Sequence, residues 1–205
     1  MEYLVTMTTH VPEGTSEQVV NDVRAREAAH SRELAAGGQL LRLWRPPLRP
    51  GEWRTLGLFA ADTGEDLEKI LASMPLRVWR TDDVTPLGPH ANDPGPERRS
   101  APPGSREFLV ELVTTVPEGT TDETVDDTKA REAERAHELA STGQLVRLWA
   151  LRTLPGGSRV LGLWRAQNEA EMQSILDSLP LRPWLTAETI PLSAHPSDPA
   201  APGVH

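Results

Sequence analysis

The sequence contains no cysteine, few aromatic residues and no excess of basic residues. The absence of cysteine excludes disulfides, thiolate catalysis and cysteine-ligated metals. A formal net charge of -9 argues against nucleic acid or an anionic membrane surface as a partner, because both are recognised by basic patches. No stretch reaches the ~18 apolar residues of a membrane span, and the N-terminus has no basic segment followed by an apolar run. We therefore expect a cytoplasmic protein without membrane contacts.

Motifs for cofactors and metals are also missing. The chain has no Gly-x-Gly-x-x-Gly, no P-loop and no nucleophile elbow, so nothing indicates a nucleotide cofactor. None of the six histidines has a second histidine four residues away, the spacing that places two ligands on one helical face. We therefore predict no metal and no cofactor.

The chain is a tandem repeat. Residues 2–94 align with 107–199 at a constant offset of 105 and without a gap. Ala-Arg-Glu-Ala occurs at 25–28 and again at 130–133, and Arg-Leu-Trp at 42–44 and again at 147–149. A repeat of this length is a whole small domain. We place repeat 1 at 1–91, a Pro/Gly-rich linker at 92–106, repeat 2 at 107–196 and a flexible tail at 197–205.

Each repeat shows the pattern of an α+β domain. In repeat 1, Thr15 or Ser16 caps a helix of about 20 residues that ends at Gly37. Alternation and turn signals predict strands at 2–10, 40–45, 53–60 and 84–88 and a short helix at 65–73. The order βαββαβ is ferredoxin-like. Because such a sheet has one uncovered face, we predict two ferredoxin-like domains packed as a pseudo-dimer of the dimeric α+β barrel type.

Glu27 and its counterpart Glu132 are the candidate catalytic residues. On a helix, Glu27 points roughly 20° from Val20 and roughly 20° from Leu34, in the middle of the apolar stripe. A carboxylate in an apolar setting has a raised pKa and can act as general base and then general acid near neutral pH. The alternative is a structural ion pair with Arg42 and Arg147, or with Arg24 and Lys129.

Cations and indoles near these glutamates are candidate substrate-binding groups. A cation beside the glutamate could hold a carboxylate or an oxyanion, although each of these side chains also suits a solvated flank or an internal ion pair. The tryptophans suit core positions as well as a pocket wall. The candidates are Arg24, Lys129, Arg42, Arg147, Trp44, Trp149, Trp79 and Trp184. His90 and His195 are equivalent, and their Pro-rich surroundings indicate a surface loop.

Each repeat resembles the muconolactone Δ-isomerase family over nearly its whole length. The resemblance is carried by Met7-Thr8 and Pro12 near the start, Ala25 and Glu27 on the helix, Gly38, Leu43-Trp44-Arg45, Pro75-Leu76 with Trp79 and His90, and Leu179 to Trp184 with His195-Pro196. The resemblance implies a ferredoxin-like fold, homo-oligomers with pockets near subunit contacts, and a cofactor-free 1,3-proton shift in an unsaturated lactone. It also implies that Glu27 and Glu132 are the acid/base and that Lys129, which is Arg24 in repeat 1, matches a neighbouring family lysine.

The sequence departs from the family in three respects. The family has one copy per chain, whereas this chain has two. A polar segment of the family is replaced at 50–54 and 155–159, and a Trp-Arg-His run is replaced at 40–42 and 145–147. Because these are substrate-contacting positions, the substrate does not follow from the resemblance.

Three functions remain as hypotheses. The first is a cofactor-free isomerase that shifts a double bond in an unsaturated lactone or a related conjugated acid, with Glu27 or Glu132 as acid/base. The second is an isomerase or cyclase of secondary metabolism acting on a polyketide-like intermediate, which partly holds the substrate in a reactive shape. The third is a non-catalytic module that binds a small hydrophobic acid. The resemblance also implies a homo-oligomer of the fused pair.

Overall fold

The computed structural model describes residues 1–97, 100–152 and 158–200. Contacts between residues divide the chain into two compact units. Unit 1 is Met1–Leu87 together with the described residues from Ser193 onward, and unit 2 is Gly88–Leu192. This grouping differs from the predicted boundaries, because the segment after each repeat joins the unit built by the other repeat.

Unit 1 has the predicted βαββαβ order. Its elements are β1 (Glu2–Thr9), α1 (Glu17–Ala36), β2 (Leu40–Arg45), β3 (Arg54–Ala60), α2 (Gly64–Ser73), a 3₁₀ turn (Pro75–Trp79), β4 (Arg80–Pro89, in unit 1 as far as Leu87) and the short β9 (Ser193–Ala194). The antiparallel strands follow the order β4-β1-β3-β2-β9, so the first four have the ferredoxin-like arrangement.

Unit 2 repeats this arrangement. Its elements are β5 (Arg106–Thr114), α3 (Asp122–Ser141), β6 (Leu145–Ala150), β7 (Ser158–Ala166), α4 (Glu169–Asp177), a 3₁₀ turn (Arg182–Trp184) and β8 (Leu185–Pro191). The strand order is β8-β5-β7-β6, and Gly88 and Pro89 pair with the free side of β6. The ferredoxin-like fold class is therefore confirmed. Of the replaced segment at 155–159, residues 155–157 lie outside the described residues.

The sequence explains these elements locally. Alternate residues of β1 are buried, which places Tyr3, Val5 and Met7 on the core side. The Ser16 hydroxyl accepts the Val19 N–H at 3.4 Å and caps α1. Gly38 follows the helix with φ of 71°, a left-handed conformation that favours glycine. The α1 periodicity therefore places one helix face against the sheet.

The segments after the repeats are packed where they are described. In unit 1, Asp198 is 1 % exposed and accepts hydrogen bonds from the Leu43 N–H at 3.0 Å and from Arg42 Nε at 3.1 Å. In unit 2, Asp93 accepts in the same way from Leu148 N–H at 2.8 Å and Arg147 Nε at 3.1 Å. Residues 197–200 are thus not a loose tail, because a buried carboxylate ties them to β2.

Candidate active site

Glu27 lies inward from α1, as the helical periodicity predicts. Its side chain is 13 % exposed. One carboxylate oxygen accepts the Leu76 N–H at 2.8 Å, and the other accepts Arg80 Nη1 at 3.2 Å. Burial raises the pKa of Glu27, and the Leu76 N–H and the Arg80 charge oppose that rise. The 3₁₀ turn after α2 therefore holds one oxygen in place while the group keeps an elevated proton affinity.

Glu132 has the same position in α3 and a different electrostatic environment. Its Oε2 accepts the Leu181 N–H at 2.9 Å. Burial raises the pKa of Glu132, and this N–H is the opposing influence. Within the part of the chain that the structure describes, no cation forms an ion pair with it.

Each glutamate lines a cavity. Cavity 1, in unit 1, has a volume of about 340 Å³, and its wall includes Arg24, Glu27, Arg45, Trp53, Arg80 and His195. Cavity 2, in unit 2, has a volume of about 260 Å³, and its wall includes His90, Lys129, Glu132, Trp164, Trp184 and Leu185. An accessible space beside a buried carboxyl group is what acid/base chemistry on a small molecule requires.

Arg80 is a site residue that the sequence analysis missed. Its side chain is 2 % exposed, and besides Glu27 it contacts Asp82, with 3.0 Å from Nη2 to Oδ2. Arg80 Nε lies 2.6 Å from Asp82 Oδ1 but without hydrogen-bond geometry. The equivalent positions in repeat 2 are Leu185 and Ala187. This paired difference between the repeats is the feature of the sequence from which Arg80 could have been identified as a site residue.

His195 and His90 lie in the walls of the two cavities, and not on the surface loops that the sequence indicated. Nδ1 of His195 accepts the Ser197 N–H at 3.1 Å, and Nδ1 of His90 accepts the Asn92 N–H at 3.1 Å.

Burial, reinforced by Arg45 and opposed by Asp198, lowers the pKa of His195 to about 4. Burial also lowers the pKa of His90, with Asp93 opposing. Both imidazoles are therefore neutral at pH 7 with the proton on Nε2.

Among the predicted binding residues, Arg24, Lys129 and Trp184 line the cavities. Arg24 lies in cavity 1, where its guanidinium carbon is 4.3 Å from the centre of the Trp53 ring. Lys129 and Trp184 lie in cavity 2. Arg24 and its equivalent Lys129 thus line the same cavity as the glutamate of their repeat.

The other predicted binding residues lie elsewhere in the described structure. The alternative that Arg42 and Arg147 pair with the glutamates is wrong, since they pair with Asp198 and Asp93. Each also stacks on the tryptophan two residues on, at 4.7 and 4.8 Å, and these tryptophans are core residues: Trp44 is 1 % and Trp149 3 % exposed. Trp79 is half-buried, and its carbonyl accepts the His10 N–H at 2.7 Å.

The described residues contain no group of three or more His, Asp or Glu side chains that could hold a metal ion. None of the helices in those residues is long and apolar enough to cross a membrane.

Fold and site together define a duplicated ferredoxin-like α+β protein with a carboxyl-lined cavity in each unit. The chain belongs to the muconolactone delta-isomerase family, whose model matches residues 1–93 and 106–198. It is 30 % identical over 90 residues to Muconolactone Delta-isomerase 1 of Acinetobacter lwoffii, covering 44 % of this chain and 91 % of the relative. It is equally identical over 90 residues to the Muconolactone Delta-isomerase of Cupriavidus pinatubonensis, covering 44 % and 95 %.

A solved structure resembles the chain over both repeats. Chlorite dismutase from Candidatus Nitrospira defluvii matches with a TM-score of 0.60 and 11 % identity, covering 96 % of this chain and 92 % of the other. At that identity the likeness shows the fold alone.

Proposed function

We propose that the protein is a cofactor-free isomerase that moves a carbon–carbon double bond by 1,3-proton transfer in an unsaturated lactone or a related conjugated carbonyl compound. The observation that carries this proposal is the pair Glu27 and Glu132. Each is half-buried, has a raised pKa, is held by one backbone N–H and lines a cavity. Membership of the family supports the reaction type, since relatives carry the name muconolactone Δ-isomerase.

In the proposed reaction, the glutamate carboxylate removes a proton from the saturated carbon that follows the conjugated double bond, in the γ position to the carbonyl group. The C–H electron pair enters the conjugated system and leaves a dienolate, and the proton stays on the glutamate. The dienolate then takes the same proton at the carbon two positions away, so the double bond moves and no other reactant is used. General acid-base catalysis of this kind supplies about 10²–10⁴-fold. Arg24 in cavity 1 or Lys129 in cavity 2 stabilises the dienolate oxygen.

The size of the cavities favours a small substrate. The volume of cavity 1, about 340 Å³, lies at the lower end of the roughly 300–1,000 Å³ that small-molecule sites occupy, and that of cavity 2, about 260 Å³, lies just below it. They suit a molecule of one or two rings better than a multi-ring polyketide intermediate, which favours the lactone over the second hypothesis. A homo-oligomer, implied by the family resemblance, belongs to the same proposal and is tested by light scattering of the purified chain.

The test compares Glu27→Gln, Glu132→Gln and the double variant with wild type on muconolactone. We expect the double variant to lose at least about 10²-fold in kcat, because the proton carrier is gone from both cavities. The single variants report which cavity turns over. Glu134→Gln, at an exposed position of α3, is the matched control and should keep wild-type kcat. A double variant with wild-type kcat would disprove the proposal, and ligand binding by a wild-type protein without turnover would favour a non-catalytic binding module.

A further inference from the structure

We propose that cavity 2 is a binding site for an uncharged aromatic molecule that carries a carbonyl oxygen, and that it thereby differs from cavity 1. This inference deepens the proposed function, since it assigns a ligand class to one of the same two sites. It is carried by positions at which the repeats differ.

The walls of the two cavities differ in charge. In cavity 1 the guanidinium groups of Arg24, Arg45 and Arg80 accompany one carboxyl group. In cavity 2 the positions of Arg45 and Arg80 are Ala150 and Leu185, and the cation in the described wall is Lys129, which is exposed. An anion entering cavity 2 would lose its hydration beside the Glu132 carboxyl without a buried cation to compensate. The site therefore favours a ligand without charge.

The wall of cavity 2 is aromatic. Trp164 and Trp184 both line it, together with Leu112, Val160 and Leu185. The residues at the positions of Trp164 and Trp184 in repeat 1 are Phe59 and Trp79, and neither belongs to the described wall of cavity 1. Indole faces and edges bind flat rings by offset or edge-to-face contacts. Cavity 1 has one indole in its wall, Trp53, and the Arg24 guanidinium lies 4.3 Å from the centre of that ring. Cavity 2 therefore offers two indoles to an aromatic ring where cavity 1 offers one.

Trp164 also carries a hydrogen-bond donor. Its Nε1–H is buried and has no acceptor among the described residues. A buried donor without a partner is disfavoured, and a ligand oxygen that accepts from it removes that cost. Phe59, at the equivalent position of repeat 1, has no such donor. The oxygen that satisfies Trp164 makes the ligand an aromatic carbonyl compound rather than a hydrocarbon, and the cavity volume of about 260 Å³ limits it to one or two rings.

Coumarin and coumarin-3-carboxylate are suitable probes, because they share the ring system and differ in charge. Isothermal titration of the full chain should show coumarin binding at cavity 2 more tightly than its carboxylate. Trp164→Phe should weaken coumarin binding about fivefold, the usual effect of losing one neutral hydrogen bond. Leu185→Arg, which introduces the repeat 1 residue, should weaken coumarin and strengthen the carboxylate. Trp149→Phe, which alters a buried indole outside the described wall of cavity 2, is the control and should leave both affinities unchanged.

Coumarin affinity that is the same in Trp164→Phe and wild type overturns the inference, and so does a folded Leu185→Arg variant that binds coumarin and its carboxylate as wild type does. Trp164→Phe is a conservative change, so the test holds even where Leu185→Arg fails to fold. These titrations involve no turnover. A failed coumarin test with an inactive Glu27→Gln/Glu132→Gln double variant refutes only this inference, and the reverse pair of results refutes only the proposed reaction.

A different observation carries a second inference, which rests on the proposed function. We infer that His195 in cavity 1 and His90 in cavity 2 donate a hydrogen bond from Nε2 to the oxygen of the bound carbonyl compound. In each imidazole, Nδ1 is occupied by a backbone N–H two residues later, so Nε2 carries the proton. A neutral imidazole N–H can polarise a carbonyl group without being titrated near pH 7.

The surroundings keep these imidazoles neutral. His195 is faced by Arg45 and Asp198, and its cavity also holds Glu27, with the cations Arg24 and Arg80. In the other cavity His90 is faced by Asp93, and Glu132 and Lys129 line the same wall. Burial lowers the pKa of both histidines, so both imidazoles are neutral near pH 7.

Two variants of His195 separate donation from support of the turn. In His195→Asn the amide oxygen can still accept the Ser197 N–H, but the donor at the Nε2 position is lost. In His195→Gln the side chain is long enough to place an N–H near Nε2. Measured in a Glu132→Gln background, His195→Asn should lower kcat about 10²-fold with little change in KM, and His195→Gln should recover most of it. A purely structural histidine gives the opposite order, and that result would overturn the inference.

Discussion

Arg80 Nη1 lies 3.2 Å from Glu27 Oε1, and the same guanidinium contacts Asp82. One buried cation therefore serves two carboxylates, and both the cation and Asp82 are 2 % exposed. In repeat 2 this cation and its second partner are absent together, because the equivalent residues are Leu185 and Ala187. The two glutamates are thus alike in backbone support and different in charge environment.

Arg80→Leu is predicted to destabilise unit 1 more than Arg80→Leu combined with Asp82→Ala. Removal of the cation leaves two buried carboxylates without it, which costs about 3–5 kcal/mol, and the lower end applies because Arg77 still contacts Asp82. The double variant copies repeat 2 and removes one of the stranded charges. We expect it to be more stable than the single variant by about 1 kcal/mol or more in urea unfolding. Equal or lower stability of the double variant would show that Asp82 does not depend on Arg80.

Asp198→Ala is predicted to cost more than Asp93→Ala, although the two positions are equivalent. The Asp198 side chain is 2 % exposed and the Asp93 side chain 18 %, so the hydrogen bonds of Asp198 are better shielded from water, whereas the two arginine partners are similarly exposed at 17 and 12 %. We expect about 3–5 kcal/mol for Asp198→Ala and about 1–3 kcal/mol for Asp93→Ala in urea unfolding. Similar losses would mean that the exposure difference has no energetic effect.

The sequence predicts the fold because its signals are local. Alternation along β1, the Ser16 cap and the glycines after α1 each depend on neighbouring residues, and the observed helix Glu17–Ala36 begins directly after that cap. The inward position of Glu27 follows from the same periodicity. Comparison of the two repeats strengthens each of these predictions, since every local signal appears twice.

The partners of the glutamate were not predictable in this way, because they come from distant segments. Arg80 lies 53 residues after Glu27 and starts a strand, where its charge resembles that of an exposed edge. The contact between Arg42 and Asp198 spans 156 residues and joins β2 to a segment with the composition of a loose tail. The Arg-Leu-Trp pattern of β2 therefore suggested a cation near the glutamate, and only the three-dimensional contacts correct that prediction.

Gly162→Ala is predicted to disrupt cavity 2. A Cβ at this position would lie 2.1 Å from Nε1 of Trp164, and the indole is 2 % exposed and cannot move freely. Overpacking of this kind costs about 1–3 kcal/mol. Gly64→Ala is the control, because a Cβ there meets nothing within 4 Å, and it should be neutral or slightly stabilising. Thermal unfolding of both variants checks the prediction, which fails if Gly162→Ala unfolds like wild type.

Glu132→Gln is predicted to stabilise the protein at neutral pH more than at pH 4. Because burial raises the pKa of Glu132 above the ordinary 4.5, the folded state binds its proton more tightly than the unfolded state does. Stability from this group is therefore fully present below 4.5 and is lost as the pH rises through the folded pKa. Glutamine has no such proton, so the difference in unfolding free energy between Glu132→Gln and wild type should grow from pH 4 to pH 8. Glu27→Gln should show a smaller gain, since Arg80 favours the charged form of Glu27. A difference that is constant with pH, measured beside the exposed control Glu134→Gln, would mean that Glu132 ionises as freely in the folded chain as in the unfolded one.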